Sequence, residues 1–95
     1  MWKLHEEANG VTKEENANEF KRQLEALPAL IPEIKSMEVG IGYKPAEGAV
    51  YDMVLTTSHD SKEDLVTYAE HPDHQKVVAF ASGIVAERRA VDYEI

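Results

Sequence analysis

The strongest constraint on the fold is a pair of neighbouring strand patterns in the middle of the chain. Residues 34–44 alternate apolar side chains with polar ones and glycine, the period of two that is typical of a strand. After a turn signal at residues 45–48, residues 49–57 form a second segment that is almost wholly apolar. We therefore predict a β-hairpin whose second strand is covered on both faces.

Helix patterns flank this hairpin on both sides. Thr12 and Glu15 have the spacing of a capping box, and the apolar residues after them recur at spacings of three and four. A second helix is predicted to begin after Ser61, because serine is a favourable N-cap. A third is predicted to begin at Pro72, because proline suits the first helical position.

Short strand patterns open and close the chain. Residues 1–4 form an apolar-rich opening, and residues 88–95 alternate Val91, Tyr93 and Ile95 with polar residues or alanine. The predicted order is therefore β-α-β-β-α-β, the α+β ferredoxin-like arrangement of a four-stranded antiparallel sheet with helices on one face. We expect residues 1–95 to form one domain.

The predicted sheet has a second apolar face, because residues 49–57 offer few polar positions. A large exposed apolar face usually marks an interface. We therefore predict a homodimer in which two sheets pack face to face.

Composition argues against several classes of partner. The 95 residues include 18 acidic and 10 basic side chains, for a net charge of −8. This excess of acid opposes binding to nucleic acid or to an anionic membrane surface. Cysteine is absent, which excludes disulfides and thiolate ligands. We find no apolar run of membrane-spanning length and no signal peptide, so we expect a cytoplasmic location.

Residues 68–78 carry the densest set of chemically active side chains. Tyr68, His71 and His74 surround a predicted break between two helices. His74 falls in the first turn of the third helix, where unpaired N–H groups and the positive end of the helix dipole favour a neutral imidazole. Because a phenol can donate to a carbonyl oxygen and an imidazole can accept a proton, Tyr68 and His74 suit enolisation or aldol-type ring closure.

The same residues also have structural interpretations. Tyr68 is otherwise a core aromatic side chain with a satisfied hydroxyl, and His74 is otherwise bonded to a backbone carbonyl. His71, directly before a proline, is better explained as a helix cap than as a catalyst.

No metal site and no cofactor are predicted. His71 and His74 lie three residues apart, but Pro72 disturbs the helical geometry between them and no third ligand has a suitable spacing. Gly40-x-Gly42 lacks a following helix, so it indicates close packing or a bulge in a strand rather than a phosphate loop.

Three further polar side chains have weaker functional signals. Asp92 either orients a histidine or faces water at a sheet edge, and the second interpretation is favoured. His5 and His59 lie beside acidic residues near predicted strand ends, so we expect both to be solvated.

Five segments, in the same order along the whole chain, resemble the stress-responsive dimeric α/β barrel (Dabb) family. They are Met1–Leu4, Ile34–Gly40, Tyr51–Leu55, Tyr68-x-x-His71-Pro72-x-His74 and Val91–Glu94. The resemblance implies a homodimer in which two four-stranded sheets form a barrel with helices outside. One branch of the family closes polyketide rings with a Tyr and a His, which would be Tyr68 and His74 here.

The resemblance also implies a first strand that begins several residues earlier than Met1, often with a Lys-His-Ile-Val-like segment. We therefore expect the first strand to be short here, either because the strand is truncated or because the start codon is placed late. A shortened central strand would weaken pairing in the sheet and alter the pocket.

Our leading hypothesis is a homodimer that binds an apolar, carbonyl-bearing small molecule in a pocket between helices and sheet. The predicted site comprises Tyr68 and His74 as its polar pair, with lining residues Trp2, Phe20, Leu24, His71, Phe80 and Asp92. One alternative is a cofactor-free cyclase, isomerase or monooxygenase that uses the same polar pair. Another is a structural stress protein whose core is too full to hold a ligand.

Overall fold

One antiparallel sheet, covered by helices, forms the framework of the protein. The computed structural model describes residues 1–43 and 51–95. Its elements are β1 Trp2–Leu4, β2 Glu7–Ala8, β3 Val11–Thr12, α1 Lys13–Ala26, a 3₁₀ turn Leu27–Ala29, β4 Ser36–Ile41, β5 Met53–Ser58, α2 Lys62–Glu70, α3 Pro72–Ser82 and β6 Val85–Arg88. The strand order β4-β5-β1-β6, with antiparallel neighbours, confirms the ferredoxin-like arrangement.

Local capping explains where the three helices begin. The Thr12 side chain accepts a hydrogen bond from the Glu15 backbone N–H at 3.3 Å, and Ser61 accepts one from Asp64 at 3.1 Å. Each bond satisfies a donor that the first helical turn leaves unpaired. Pro72 opens α3, as the sequence predicted.

The core lies between α1 and the helix-facing side of the sheet. Phe20 and Leu24 of α1 are 1% and 2% exposed, and Val39 and Met53 from the sheet are also buried. This stripe confirms the predicted helical spacing. Burial of a phenylalanine or leucine side chain contributes roughly 1.5–3 kcal/mol each to the free energy of unfolding.

The β4–β5 hairpin corrects the expectation of two apolar faces. Val39 pairs with Leu55 on the helix-facing side. The outer face carries Ser36, Glu38 and Gly40 of β4 beside Val54, Thr56 and Ser58 of β5. This outer face is mostly polar, because the outward positions of β5 after Val54 are the hydroxyl residues Thr56 and Ser58.

Gly40 allows close packing on this outer face, as predicted. A Cβ atom at Gly40 would lie 3.2 Å from Cγ1 of Val54, so a larger residue would force the valine to move. The predicted turn at residues 45–48, and the beginning of the predicted strand at residues 49–50, lie outside the described residues.

A small additional hairpin, β2–β3, was missed by the sequence analysis. Its turn contains Asn9 and Gly10, both with positive φ, at 57° and 75°. Two consecutive residues with positive φ fit a type I′ turn, for which Asn-Gly is a strong sequence signal.

The predicted strand at residues 88–95 is wrong. The last strand is Val85–Arg88, and residues 89–95 have no regular structure. Met1 and Arg89 exchange two backbone hydrogen bonds, of 2.8 and 3.0 Å. Residues 89–95 pair with no strand among the described residues, and alternation alone does not produce a strand without a neighbour.

No helix within residues 1–43 and 51–95 has the length and apolar character needed to cross a bilayer.

Candidate functional site

The structure contains two groups of packed aromatic side chains, and the two groups differ in chemistry. The first, here named the core cluster, comprises Trp2, Phe20 and Phe80. The Trp2 and Phe20 ring centroids are 4.6 Å apart, and the Phe20 and Phe80 centroids are 6.3 Å apart. These distances are typical of packed aromatic pairs, so the predicted lining residues Trp2, Phe20 and Phe80 do lie together.

The second group, here named the histidine cluster, comprises His59, Tyr68 and His74. The Tyr68 ring centroid lies 5.1 Å from that of His59 and 4.4 Å from that of His74. The structure therefore brings together the predicted polar pair and adds a third ring from the end of β5.

Tyr68 is the most buried member of the histidine cluster. The residue is 6% exposed, on the face of α2 that turns toward the core. Burial raises the pKa of its phenol, and the positive charge of Arg88 opposes that change in part. The phenol therefore stays protonated, and is a hydrogen-bond donor, throughout the neutral range.

The Tyr68 hydroxyl has no hydrogen-bond partner among the described residues. No side-chain hydrogen bond within residues 1–43 and 51–95 includes it, and in the same ranges no fully buried polar side-chain atom lacks a partner. Such a hydroxyl can donate to a ligand oxygen without breaking a hydrogen bond to these residues.

His74 is fixed in one tautomer. Its Nδ1 lies 2.9 Å from the carbonyl oxygen of Ala69. Because a carbonyl only accepts, Nδ1 must carry the proton, and in the neutral ring Nε2 keeps a lone pair. His74 is therefore bonded to the backbone through Nδ1 and still has a nitrogen that can act as a base. The structural and the functional interpretation of this residue are compatible.

His59 is the site residue that the sequence analysis missed. It is half-buried, with Nδ1 2.8 Å from the Glu33 carbonyl oxygen and Nε2 3.0 Å from the Thr57 hydroxyl. The expectation that it is solvated is wrong, because the ring makes these two bonds and lies against Tyr68 of α2. No local pattern could reveal this, since the contact depends on the path of the chain after β5.

His71 has the capping role that the sequence favoured. Its Nδ1 accepts from the Asp73 backbone N–H at 3.1 Å and so caps α3. The Asp73 carboxylate lies 3.7 Å from the same Nδ1. The ring therefore stabilises the junction between α2 and α3, on which the position of His74 depends.

Two predicted site residues lie outside both aromatic groups. Leu24 of α1 is 2% exposed and packs in the core. Asp92 is exposed in the irregular tail. The structure does not bring Asp92 into either aromatic group.

A shallow recess lies apart from both clusters. It has a volume of about 120 Å³ and lies where β5 begins. Its lining residues are Met1, Gly42, Tyr51, Asp52, Met53 and Val54. The volume is below the several hundred Å³ of a typical small-molecule site, and no predicted site residue lines it.

The described residues show no metal centre. Within residues 1–43 and 51–95, no three His, Asp or Glu side chains are grouped so that they could hold an ion. The two imidazoles of the histidine cluster lie against Tyr68, tilted by 32° and 41°. The arrangement offers a neutral phenol donor, one imidazole lone pair and aromatic surface, which suits a carbonyl compound with an apolar body.

Comparisons with known proteins place the chain among proteins of known fold but unknown function. A dimeric protein of unknown function with a ferredoxin-like fold, from Bacteroides fragilis NCTC 9343, is 34% identical; the alignment covers 99% of this chain and 89% of that one, with a TM-score of 0.82. A dimeric ferredoxin-like protein of unknown function from Thermobifida fusca yx is 27% identical and covers 100% and 85% of the two chains, with a TM-score of 0.83.

A more distant structure supports the fold alone. A dimeric ferredoxin-like protein of unknown function from Jannaschia sp. CCS1 is 21% identical over 88% of this chain and 91% of its own, with a TM-score of 0.61. No curated protein matches. The family model for the stress responsive A/B barrel domain matches residues 1–95. The chain therefore belongs to the Dabb family, the stress responsive A/B barrel domain proteins.

Proposed function

We propose that this Dabb protein is a homodimer that binds an apolar, carbonyl-bearing small molecule at the histidine cluster. The observation that carries the proposal is Tyr68, whose ring lies against His74 and whose hydroxyl has no hydrogen-bond partner among the described residues. A protonated phenol at the edge of an aromatic surface is suited to hold a carbonyl oxygen while the rings contact the apolar body of the ligand.

The homodimer is supported by the relatives. Two structures that are 34% and 27% identical to this chain are described as dimeric. Val54 on the outer sheet face is 44% exposed, and Met1, beside it at the start of β1, is 48% exposed. A second copy would cover these apolar side chains, and packing of sheet on sheet leaves the histidine cluster on the helix side of each subunit.

The binding proposal is tested by titration calorimetry with acetophenone and with ethylbenzene, which has the same apolar body but no carbonyl oxygen. We expect acetophenone to bind several-fold more tightly, because a hydrogen bond contributes about 1 kcal/mol. Tyr68→Phe should abolish this preference. Tyr43→Phe is the matched control, because Tyr43 is fully exposed. Equal affinity of the two compounds for the unchanged protein would refute the proposal.

A cofactor-free enzyme is a second candidate, and the tautomer of His74 favours it. With Nδ1 held by the Ala69 carbonyl, Nε2 can accept a proton from carbon next to a bound carbonyl group. The corresponding test is exchange of the acetophenone methyl protons in deuterated water, followed by NMR. Catalysis predicts faster exchange that His74→Gln removes, and exchange at the rate of buffer alone excludes this candidate.

A further inference from the structure

The last residue of β6, Arg88, lies on the helix-facing side of the sheet. Arg88 pairs with Trp2 across the β1–β6 ladder, and residues directly opposite each other in an antiparallel pair project to the same face. The Trp2 ring packs against Phe20 of α1, which identifies this face as the one covered by helices. Tyr68 turns toward the same space from α2. The guanidinium group and the phenol therefore belong to one side of the sheet.

A β-bulge in β6 gives Arg88 this direction. The register between β1 and β6 shifts after the pair of Lys3 and Glu87, and the shift leaves Ala86 without a partner in β1. Val85, on the other side of the bulge, packs against the core. In a regular strand, residues three apart project to opposite faces, so Val85 and Arg88 could not both face the helices. Bulges that re-aim a side chain in this way are frequent beside active sites.

The positive charge of Arg88 has no partner in the described ranges. The residue is exposed, and within residues 1–43 and 51–95 no ion pair and no side-chain hydrogen bond includes its guanidinium group. The other two arginines of the chain each form an ion pair with a glutamate. The charge of Arg88 nevertheless acts on Tyr68, since it opposes part of the rise in the pKa of that phenol.

We propose that Arg88 binds a carboxylate on the same ligand whose carbonyl oxygen accepts from Tyr68, so that the ligand is an apolar keto acid. This inference rests on the proposed function and names its ligand class more narrowly. A guanidinium group matches a carboxylate with two parallel hydrogen bonds. One arginine balances one negative charge, which favours a carboxylate over a doubly charged phosphate ester in a chain of net charge −8.

Three parts of such a ligand then have separate partners. The phenol of Tyr68 holds the carbonyl oxygen, the rings of the histidine cluster contact the apolar body, and Arg88 holds the carboxylate. The net charge of −8 makes the third contact decisive, because the protein as a whole repels anions. Without Arg88, a keto acid should bind less tightly than the uncharged ketone of the same shape.

The test is titration calorimetry with β-benzoylpropionate and with butyrophenone, in which a methyl group replaces the carboxylate. We expect the unchanged protein to bind β-benzoylpropionate about fivefold more tightly, and Arg88→Gln to reverse this preference. Arg89→Gln is the matched control, because it removes the same charge from the neighbouring residue, which is paired with Glu87. Equal affinity of the two compounds for the unchanged protein, or equal loss of preference in both variants, would overturn the proposal.

Arg88→Lys separates a charge at this position from an indirect effect of the substitution. Lysine keeps the positive charge but lacks the planar fork, so it should restore part of the preference that Arg88→Gln removes. Identical affinities of the lysine and glutamine variants for β-benzoylpropionate would contradict recognition of the carboxylate by this side chain.

A measurement on the unchanged protein needs no substitution. Higher salt concentration screens exposed charges, so it should weaken the binding of β-benzoylpropionate and leave butyrophenone binding unchanged. The same response of both compounds to salt would overturn the proposal.

Butyrophenone also separates this inference from the proposed function on which it rests. If Tyr68→Phe weakens butyrophenone binding while Arg88→Gln leaves the preference for β-benzoylpropionate intact, only the role of Arg88 is refuted. If Tyr68→Phe leaves butyrophenone binding unchanged, the proposed function fails together with the inference.

Discussion

The core cluster and the histidine cluster are both built from three rings, but the core cluster has one polar group, the indole N–H of Trp2, whereas every ring of the histidine cluster carries polar atoms. In the core cluster, Phe20 is 1% exposed and packs against the rings of Trp2 and Phe80. In the histidine cluster, Tyr68 is similarly buried, yet it lies between two imidazoles. Phe20 and Tyr68 are therefore buried to a similar extent but have chemically different neighbours.

This difference separates stability from function within one small fold. Apolar rings contribute to the free energy of unfolding through area removed from water and close packing. Rings with polar atoms contribute less for the same volume, because their hydrogen-bonding groups must stay satisfied. We therefore expect substitutions in the core cluster to have the larger effect on stability, and substitutions in the histidine cluster to change binding.

The largest expected effect is in the core cluster. Phe20→Ala should lower the free energy of unfolding by about 3–5 kcal/mol, because it removes a buried ring and leaves a cavity between Trp2 and Phe80. Urea unfolding followed by the fluorescence of Trp2 measures this. A loss below about 1 kcal/mol would show that the core cluster is not the main packing centre.

His59→Ala should have an intermediate effect and lower the free energy of unfolding by about 1–2 kcal/mol. It removes the hydrogen bond to the Glu33 carbonyl and the ring that packs against Tyr68. His5→Ala is the control, because His5 is exposed and its replacement should change the free energy of unfolding little. Similar losses for both variants would argue against a fixed histidine cluster.

The helix caps provide a matched pair of smaller effects. Thr12 caps α1, which carries Phe20, and Ser61 caps α2, which carries Tyr68. Each substitution by alanine should lower the free energy of unfolding by about 1 kcal/mol. Only Ser61→Ala should also weaken acetophenone binding in calorimetry, and equal weakening by both would break the distinction between the clusters.

Tyr68→Phe should have the smallest effect at neutral pH, because the ring and its packing remain. The difference appears in alkali. The phenol of an unfolded chain ionises near pH 10, and burial raises the pKa of Tyr68 above that value in the folded protein.

The direction of the pH effect follows from linkage. Above about pH 10 the unfolded chain releases the Tyr68 proton before the folded protein does, so the free energy of unfolding falls as pH rises. The stabilisation that comes from the raised pKa of Tyr68 is fully present below about pH 10. It is lost as the pH rises through the pKa of Tyr68 in the folded protein. Urea unfolding between pH 8 and 11, values set around the tyrosine pKa of about 10, should show a shallower fall in Tyr68→Phe; identical slopes would contradict this assignment.

The sequence predicted most of the helical structure because the relevant signals are local. Thr12 and Ser61 cap helices at the expected positions, and the stripe through Phe20 and Leu24 is buried as its spacing indicates. The order of strands and helices then limits the fold to few arrangements. The Asn9-Gly10 turn also had a local signal, although it was overlooked.

The errors concern contacts between distant parts of the chain. Tyr93 lies in an alternating segment, but a strand needs a neighbour, and no described strand pairs with this segment. His59 lies beside acidic residues in sequence, but its partners are Glu33 and Tyr68. Neither outcome is encoded in a short window, because each depends on contacts with parts of the chain that are distant in sequence.

The most direct test of the account is an NMR titration that observes both clusters at once. Acetophenone is added to protein with ¹⁵N in the histidine rings and in the single tryptophan. We predict saturable shifts of the His59 and His74 ring signals, while the Trp2 indole signal stays unchanged. Shifts of the Trp2 indole with unchanged histidine signals would contradict the placement of the site at the histidine cluster.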